Sequence, residues 1–266
     1  MKSENADKIK NAFTIQSEHF ETHKANFMKK EYLDYVISEV QPQKTDSVLD
    51  VASGTCICGR SFAPYVGQVT CLDLTPAMLS IGKEQAENQG FKNMVFVTGD
   101  AGELPFPDNS FDIVVSRLAF HHFSNVNRPF SEMTRVLKSG GKFVFIDMEA
   151  AEQTLRTVQD EIEALRDPSH IRNLSKTEML KLFSDNGLSV EKCNITKIKK
   201  NLAEWLDFTK TPTSIRRDII SRFMDDLDGK SKTGFQPYKS SEGICFDHKW
   251  TMIIGRKPPM IQLGYE

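Results

Sequence analysis

Three aspartates at the ends of apolar runs carry the first readable chemistry. Asp50 closes the run VLD at 48–50, Asp73 closes CLD at 71–73, and Asp100 follows VTG at 97–99. A buried parallel strand reads as a continuous apolar run. Each carboxylate therefore falls at the carboxyl end of a strand, the edge where an open α/β sheet binds nucleotide-like ligands. Ala52, Ser53 and Gly54 form a turn with little side-chain bulk, which lets backbone approach a ligand closely. Asp73 stands 23 positions after Asp50 (73−50), a spacing that suits a carboxylate accepting hydrogen bonds from ribose hydroxyls. Asp100 is placed to accept from an exocyclic amine. The pair His121-His122, in RLAFHHF after a fourth apolar run, is the obvious proton-handling candidate. A base is needed there only if the substrate's nucleophile carries a proton.

The elements that must position these groups follow from pattern. From 43 onward apolar runs alternate with helical periodicity, which predicts a parallel sheet with crossover helices. Thr75 reads as an N-cap with Pro76 at the first helical position and Gly90 near the end. Ser124 or Asn125 opens a helix with Val126, Phe130, Met133 and Leu137 on one face, and Gly140-Gly141 stops it before a strand over 142–147. Residues 1–42 read as polar helix anchored by Met28, Tyr32, Tyr35, Val36 and Val40, ended by Pro42. After Met148 the pattern gives a helix over 152–166, a capping box at Ser175-x-x-Glu178, a strand near 188–197 and helices around 201–210 and 213–227. The polar stretch 228–243 reads as a mobile loop. A last strand over 244–254 puts Ile244, Phe246, His248, Trp250, Met252 and Ile254 on one face.

Four stretches, D-V-A-S-G-T (50–55), D-L-T-P-A-M-L (73–79), G-D-A-G-E-L-P-F-P-D-N-S-F-D (99–112) and R-V-L-K-S-G-G-K-F-V-F (135–145), occur in this order. In that combination residues 45–148 resemble the class I S-adenosylmethionine-dependent methyltransferases, nearest to the ubiquinone/menaquinone-biosynthesis C-methyltransferases of the small-molecule branch. The resemblance implies a Rossmann-like α/β fold: a seven-stranded, mostly parallel sheet with an antiparallel last strand, helices on both faces and a helical lid. It implies an N-terminal helical lid over 1–42, an S-adenosylmethionine-binding core over 43–150, and a remainder over 151–266 whose helical insertions cap the substrate. It implies a cofactor site made of Asp50, Ala52, Ser53, Gly54, Asp73, Leu74, Met78, Asp100, Ala101, Ser116 and Arg117. Asp50 would orient the glycine-rich turn, and His121 or His122 would take a proton from a small organic acceptor. Gln16 and Phe20 would sit in the lid over the cofactor. The family keeps a glycine where this chain has Cys56, whose thiol would either crowd the methionine moiety or point away.

Composition narrows the classes. Among 266 residues the formal net charge is −2, so no basic footprint for nucleic acid exists. No run reaches the length of a membrane span, and the amino terminus has no apolar signal core. Five cysteines, at 56, 58, 71, 193 and 245, suit reduced thiols in a cytoplasm. Cys56-x-Cys58 has no second pair at zinc spacing, so no metal is expected. His19, His23 and His248 read as ordinary surface or half-buried histidines. GTCICGRS (54–61) nearly spells a phosphate loop, but Arg60 replaces the lysine. A nicotinamide-dependent oxidoreductase needs G-x-G-x-x-G, which A-S-G-T-C-I does not supply. A non-catalytic binding module on the same fold stays open through Cys56.

Overall fold

The computed structural model describes residues 4–17, 20–21 and 30–259; Met28, His19 and His23 lie outside the described residues. Five parallel strands form the body of the sheet: β1 (Ser47–Val51), β2 (Gln68–Asp73), β3 (Met94–Thr98), β4 (Phe111–Arg117) and β5 (Leu137–Met148). β6 (Ser189–Asn201) and β8 (Gly243–Arg256) complete the order β3-β2-β1-β4-β5-β8-β6, with β8 antiparallel to both neighbours. The expected sheet is present, extended by a three-residue strand, β7 (Tyr238–Ser240), which pairs with β8.

Alternation along the strands sorts side chains into two layers, as the pleat requires. Val48, Val69, Ile113 and Val144 pack with α2 (Lys30–Val40) and α3 (Ile57–Phe62) on one face. Leu49, Leu72, Val114 and Phe143 pack with α5 (Asn127–Val136) and α7 (Lys176–Asp185) on the other. α2 thus belongs to the core layer, with Val36 and Val40 fully buried. Among the described residues of 1–42, α1 (Glu4–Ser17) and Phe20 line the cavity at the carboxyl ends of the strands. A third cluster joins α6 (Arg156–Arg166), α8 (Leu202–Phe208) and α9 (Thr213–Leu227) through Ile162, Trp205 and Phe223.

Two local expectations need correction. The helix opened near Asn125 ends at Val136, and Leu137 already pairs with Phe111 as the first residue of β5. The stretch 228–243 is tied down. Phe235 is 4% exposed among Trp205, Phe223 and Phe246, and the Asp226 carboxylate accepts from both the backbone and hydroxyl of Thr233. Its polar composition hid one apolar anchor. The Ser175–Glu178 capping box forms as expected, and it opens α7. Among the described residues no helix is long and apolar enough to cross a membrane.

Candidate active site

The strand order reverses between β1 and β4, and a crevice at the carboxyl ends of these strands is the place such a sheet offers a ligand. A cavity of about 230 Å³ lies there. Of the residues expected from sequence, Asp50, Ala52, Ser53, Gly54, Asp73, Leu74, Met78, Asp100, Ala101, Arg117, His121 and His122 all line it. Ser116 does not. It is buried in β4, and its hydroxyl has no hydrogen-bond partner among the described residues.

Asp73 organises the first wall. Its Oδ2 accepts the Gly54 N–H and its Oδ1 the Thr75 N–H, both at 2.8 Å. One carboxylate thereby ties the turn after β1 to the start of α4 (Pro76–Asn88) while its edge borders the cavity. Burial pushes its carboxyl up, and these backbone donors oppose that shift. Asp50 acts on the helix that follows the glycine-rich turn. Its Oδ2 accepts the Gly59 N–H at 2.7 Å, fixing α3. A β-carbon at Gly59 would lie 2.6 Å from Cys71 Sγ, so only glycine brings this N–H so close. Burial raises the Asp50 carboxyl to about 7, with the Gly59 donor and Arg117 pulling the other way. Asp100 Oδ1 accepts the Gly102 N–H at 2.8 Å in a local turn, and Asp100 still lines the cavity.

Cys56 takes a left-handed backbone, φ 60°, the conformation glycine adopts most easily. Its thiol is fully buried and points away from the cavity, against α4. A β-carbon at Gly82 would come within 2.6 Å of Cys56 Sγ, so the bare glycine in α4 makes room for the thiol. Of the two orientations open from sequence, the structure has the one in which the thiol points away.

The opposite wall was mostly missed. His121 Nδ1 meets Asp147 Oδ1 at 2.7 Å, and the same carboxylate accepts the Phe120 and Met148 N–H groups at 2.7 Å each. Burial favours the neutral imidazole, but Asp147 outweighs it and holds His121 above its ordinary value. His122 Nδ1 meets Ser169 Oγ at 3.1 Å, and Ser169 Oγ–H donates to Asp167 Oδ1 at 2.5 Å. Burial and the neighbouring His121 push His122 down to about 3. The surroundings thus pull the two adjacent histidines in opposite directions. His248 is buried and lines the cavity, its Nε2 3.3 Å from Glu163 Oε1, contrary to the ordinary role expected for it. Gln16 and Phe20 line the cavity as expected, joined by Phe13, Trp205, Phe208 and Trp250. One of the missed groups had a legible signal: KFVFID at 142–147 ends on an aspartate as the runs before Asp50 and Asp73 do.

Residues 49–145 match the methyltransferase domain family. The chain is 34% identical to an uncharacterized methyltransferase, YcgJ of Bacillus subtilis, over 73% of this chain and 78% of that one. The chain belongs to the class I S-adenosylmethionine-dependent methyltransferases. The crystal structure of YcgJ superposes with a TM-score of 0.80 at 31% identity, covering 86% of this chain and 99% of that one. A putative methyltransferase from Bacillus halodurans gives 0.78 at 28% identity, covering 85% and 98%. The ubiquinone/menaquinone biosynthesis C-methyltransferase of Coxiella burnetii is 33% identical, over 43% of this chain and 47% of its own length. The enzyme's activity is methyl transfer from S-adenosylmethionine.

Proposed function

We propose that the cavity holds S-adenosylmethionine along the Asp50–Asp73–Asp100 wall and a small organic methyl acceptor against the His121–His122 wall. The observation that carries this reading is Asp73, whose two oxygens brace Gly54 and Thr75 while the carboxylate edges the cavity. Its placement supports acceptance from ribose hydroxyls, with Asp100 and Ala101 toward the adenine and Asp50, Ser53 and Gly54 toward the methionine end. The bound cofactor supplies an already activated methyl electrophile. What remains for the chain is to align the acceptor and exclude water, and alignment alone contributes several kcal/mol to catalysis. The aromatic wall of Phe13, Trp205, Phe208 and Trp250 serves both tasks. With Cys56 turned away, nothing in the glycine-rich turn favours a non-catalytic module. Free thiols at all five cysteines support a reducing, cytoplasmic setting.

Calorimetric titration with S-adenosylmethionine, S-adenosylhomocysteine and NAD tests the reading. Micromolar binding of both sulfur compounds but not NAD, abolished by Asp73→Ala in a variant that keeps its circular dichroism spectrum, is the expected result. Binding of NAD alone, or full cofactor affinity in Asp73→Ala, overturns it.

A further inference from the structure

One end of the cavity, made by α6, α8, β6 and β8, carries charge that the cofactor reading does not use. β8 stands four places from β2 in the sheet order, roughly 19 Å at about 4.8 Å per strand, so this end is remote from Asp73. Arg166, in the last turn of α6, keeps only 10% of its side chain exposed and lines the cavity. Its Nε and Nη2 both donate to Glu163 Oε2, at 3.2 and 3.0 Å, and its Cζ lies 4.4 Å from the Trp205 ring centroid. These contacts fix the plane of the guanidinium fork. Nη1 makes no hydrogen bond among the described residues and is not sealed from the cavity. Glu163, 1% exposed, stands behind the fork with Oε1 3.3 Å from His248 Nε2. Lys200 approaches from β6. Ile198 pairs with His248 and Lys200 with Phe246, so Lys200 shares a face with His248, one pair further along. The lysine is 9% exposed and lines the cavity, and its amine reaches past His248 to 5.4 Å from the Trp250 centroid. Two carboxylates border the same end. Asp167 accepts from Ser169 and Gln16, and Glu204 is exposed on the first turn of α8.

We propose that Arg166 and Lys200 form an anion subsite that holds a carboxylate of the methyl acceptor, with Trp205 and Trp250 covering the apolar body that carries it. Taking two cations out of water is costly, and an incoming carboxylate that accepts charge-assisted hydrogen bonds from them offsets that cost. The aromatic faces beside both cations strengthen the case for an anion joined to a flat, apolar skeleton rather than a bare ion, because a small hydrated anion would leave those faces uncovered. Glu163 is a positioning residue: it holds the Arg166 fork by two donors and leaves Nη1 toward the cavity. The inference rests on the methyl-transfer reading for naming the bound carboxylate as part of the acceptor.

The test uses the full chain saturated with S-adenosylhomocysteine, whose affinity is measured first. Three probe pairs of matched shape follow by calorimetry: benzoate and benzamide, phenylacetate and phenylacetamide, indole-3-acetate and indole-3-acetamide. In at least one pair the carboxylate should bind about tenfold tighter than its amide, and the margin should shrink between about 50 and 500 mM sodium chloride. Lys200→Met, which keeps an apolar stem beside Trp250, and Arg166→Gln should each reduce the margin to threefold or less while S-adenosylhomocysteine still binds. Lys197→Met, on the exposed face of β6, removes the same charge elsewhere and should leave the margin as it is. Equal affinity within every pair, no binding of any carboxylate at millimolar concentration, or a margin that survives in both Lys200→Met and Arg166→Gln overturns the inference and leaves the cofactor reading intact. Failure of S-adenosylhomocysteine to bind the wild-type chain overturns the cofactor reading instead, and the same probe pairs on the unliganded chain then decide the anion subsite by itself.

Discussion

Asp50→Asn separates a buried, neutral carboxyl from an ordinary one. The folded protein raises this group from 3.8 to about 7, burial being the main cause. Because the folded value lies above the unfolded one, the native state holds the extra proton between them. Stability is therefore fully present below the unfolded value, falls as pH rises through about 4 to 7, and stays reduced above that. A shift of about three units at ~1.36 kcal/mol each amounts to roughly 4 kcal/mol, an upper bound since local relaxation lowers it. Asparagine keeps a side-chain oxygen for the Gly59 N–H and never ionises. Urea unfolding at about pH 4, 5.5 and 8 should show the variant within ~1 kcal/mol of wild type at the acid end. At the alkaline end it should be more stable by about 2–4 kcal/mol. Other groups that titrate here, His121 among them, are common to both proteins and cancel in the difference. A difference that stays flat from pH 4 to 8 refutes the reasoning, because it puts Asp50 at an ordinary carboxyl value. A cationic ligand beside Asp50 favours the carboxylate, so wild-type affinity for S-adenosylmethionine should also rise with pH through about 7 and that of Asp50→Asn should not.

Three further outcomes follow from packing and capping. Gly82→Ala puts a β-carbon 2.6 Å from Cys56 Sγ and 2.8 Å from the Thr55 carbonyl oxygen. Overpacking of ~1–3 kcal/mol outweighs a helix-propensity gain of at most ~1 kcal/mol, and Cys56→Ala should restore part of the loss in a double-mutant unfolding cycle. Strict additivity would place the thiol elsewhere. Glu178→Ala removes the capping box and the partner of Arg156 and Arg172. It should cost about 1–2 kcal/mol in urea unfolding with S-adenosylhomocysteine affinity unchanged. Phe235→Ala should cost about 3–5 kcal/mol, whereas a loss under ~1 kcal/mol would return 228–243 to the mobile loop its composition suggests.

The fold was legible because its central strands, β1, β2, β4 and β5, are buried on both faces. Runs such as VLDV and FVFID fit a strand covered on both faces, and each ends at the edge of the sheet that borders the cavity. The helix boundary at Val136 was not legible, because Leu137 satisfies the helical period and the strand pairing with Phe111 equally well. Tertiary pairing decided it. In 228–243, one phenylalanine among polar residues was outvoted by its neighbours, although a single buried aromatic is enough to pin a loop. His248 alternates correctly with Phe246 and Trp250 on β8. Pattern placed it on the same face as those aromatics, but only the fold brought Glu163 to it.

The two walls of the site differ in a way that explains why one was read and the other missed. On the cofactor wall the defining hydrogen bonds are short-range in sequence: Thr75 to Asp73 spans 2 positions, Gly59 to Asp50 spans 9, and Gly54 to Asp73 spans 19. The first two strands with the turns and helices that follow them hold all of these contacts, so motif and site coincide. On the acceptor wall His121 reaches Asp147 across 26 positions and His122 reaches Ser169 across 47. Asn5 reaches His122 across 117, and Gln16 reaches Asp167 across 151. No local pattern records a partner at those distances. The opposite shifts of the two histidines, His121 up and His122 down, arise only once β5, the segment after α6 and helix α1 have converged on them. On the proposed reading, in which the acceptor lies against the histidine wall, acceptor choice depends on the long-range contacts of α1, Asp167 and Ser169. Substitutions there should change acceptor choice while the cofactor wall, closed on itself, is left as it is.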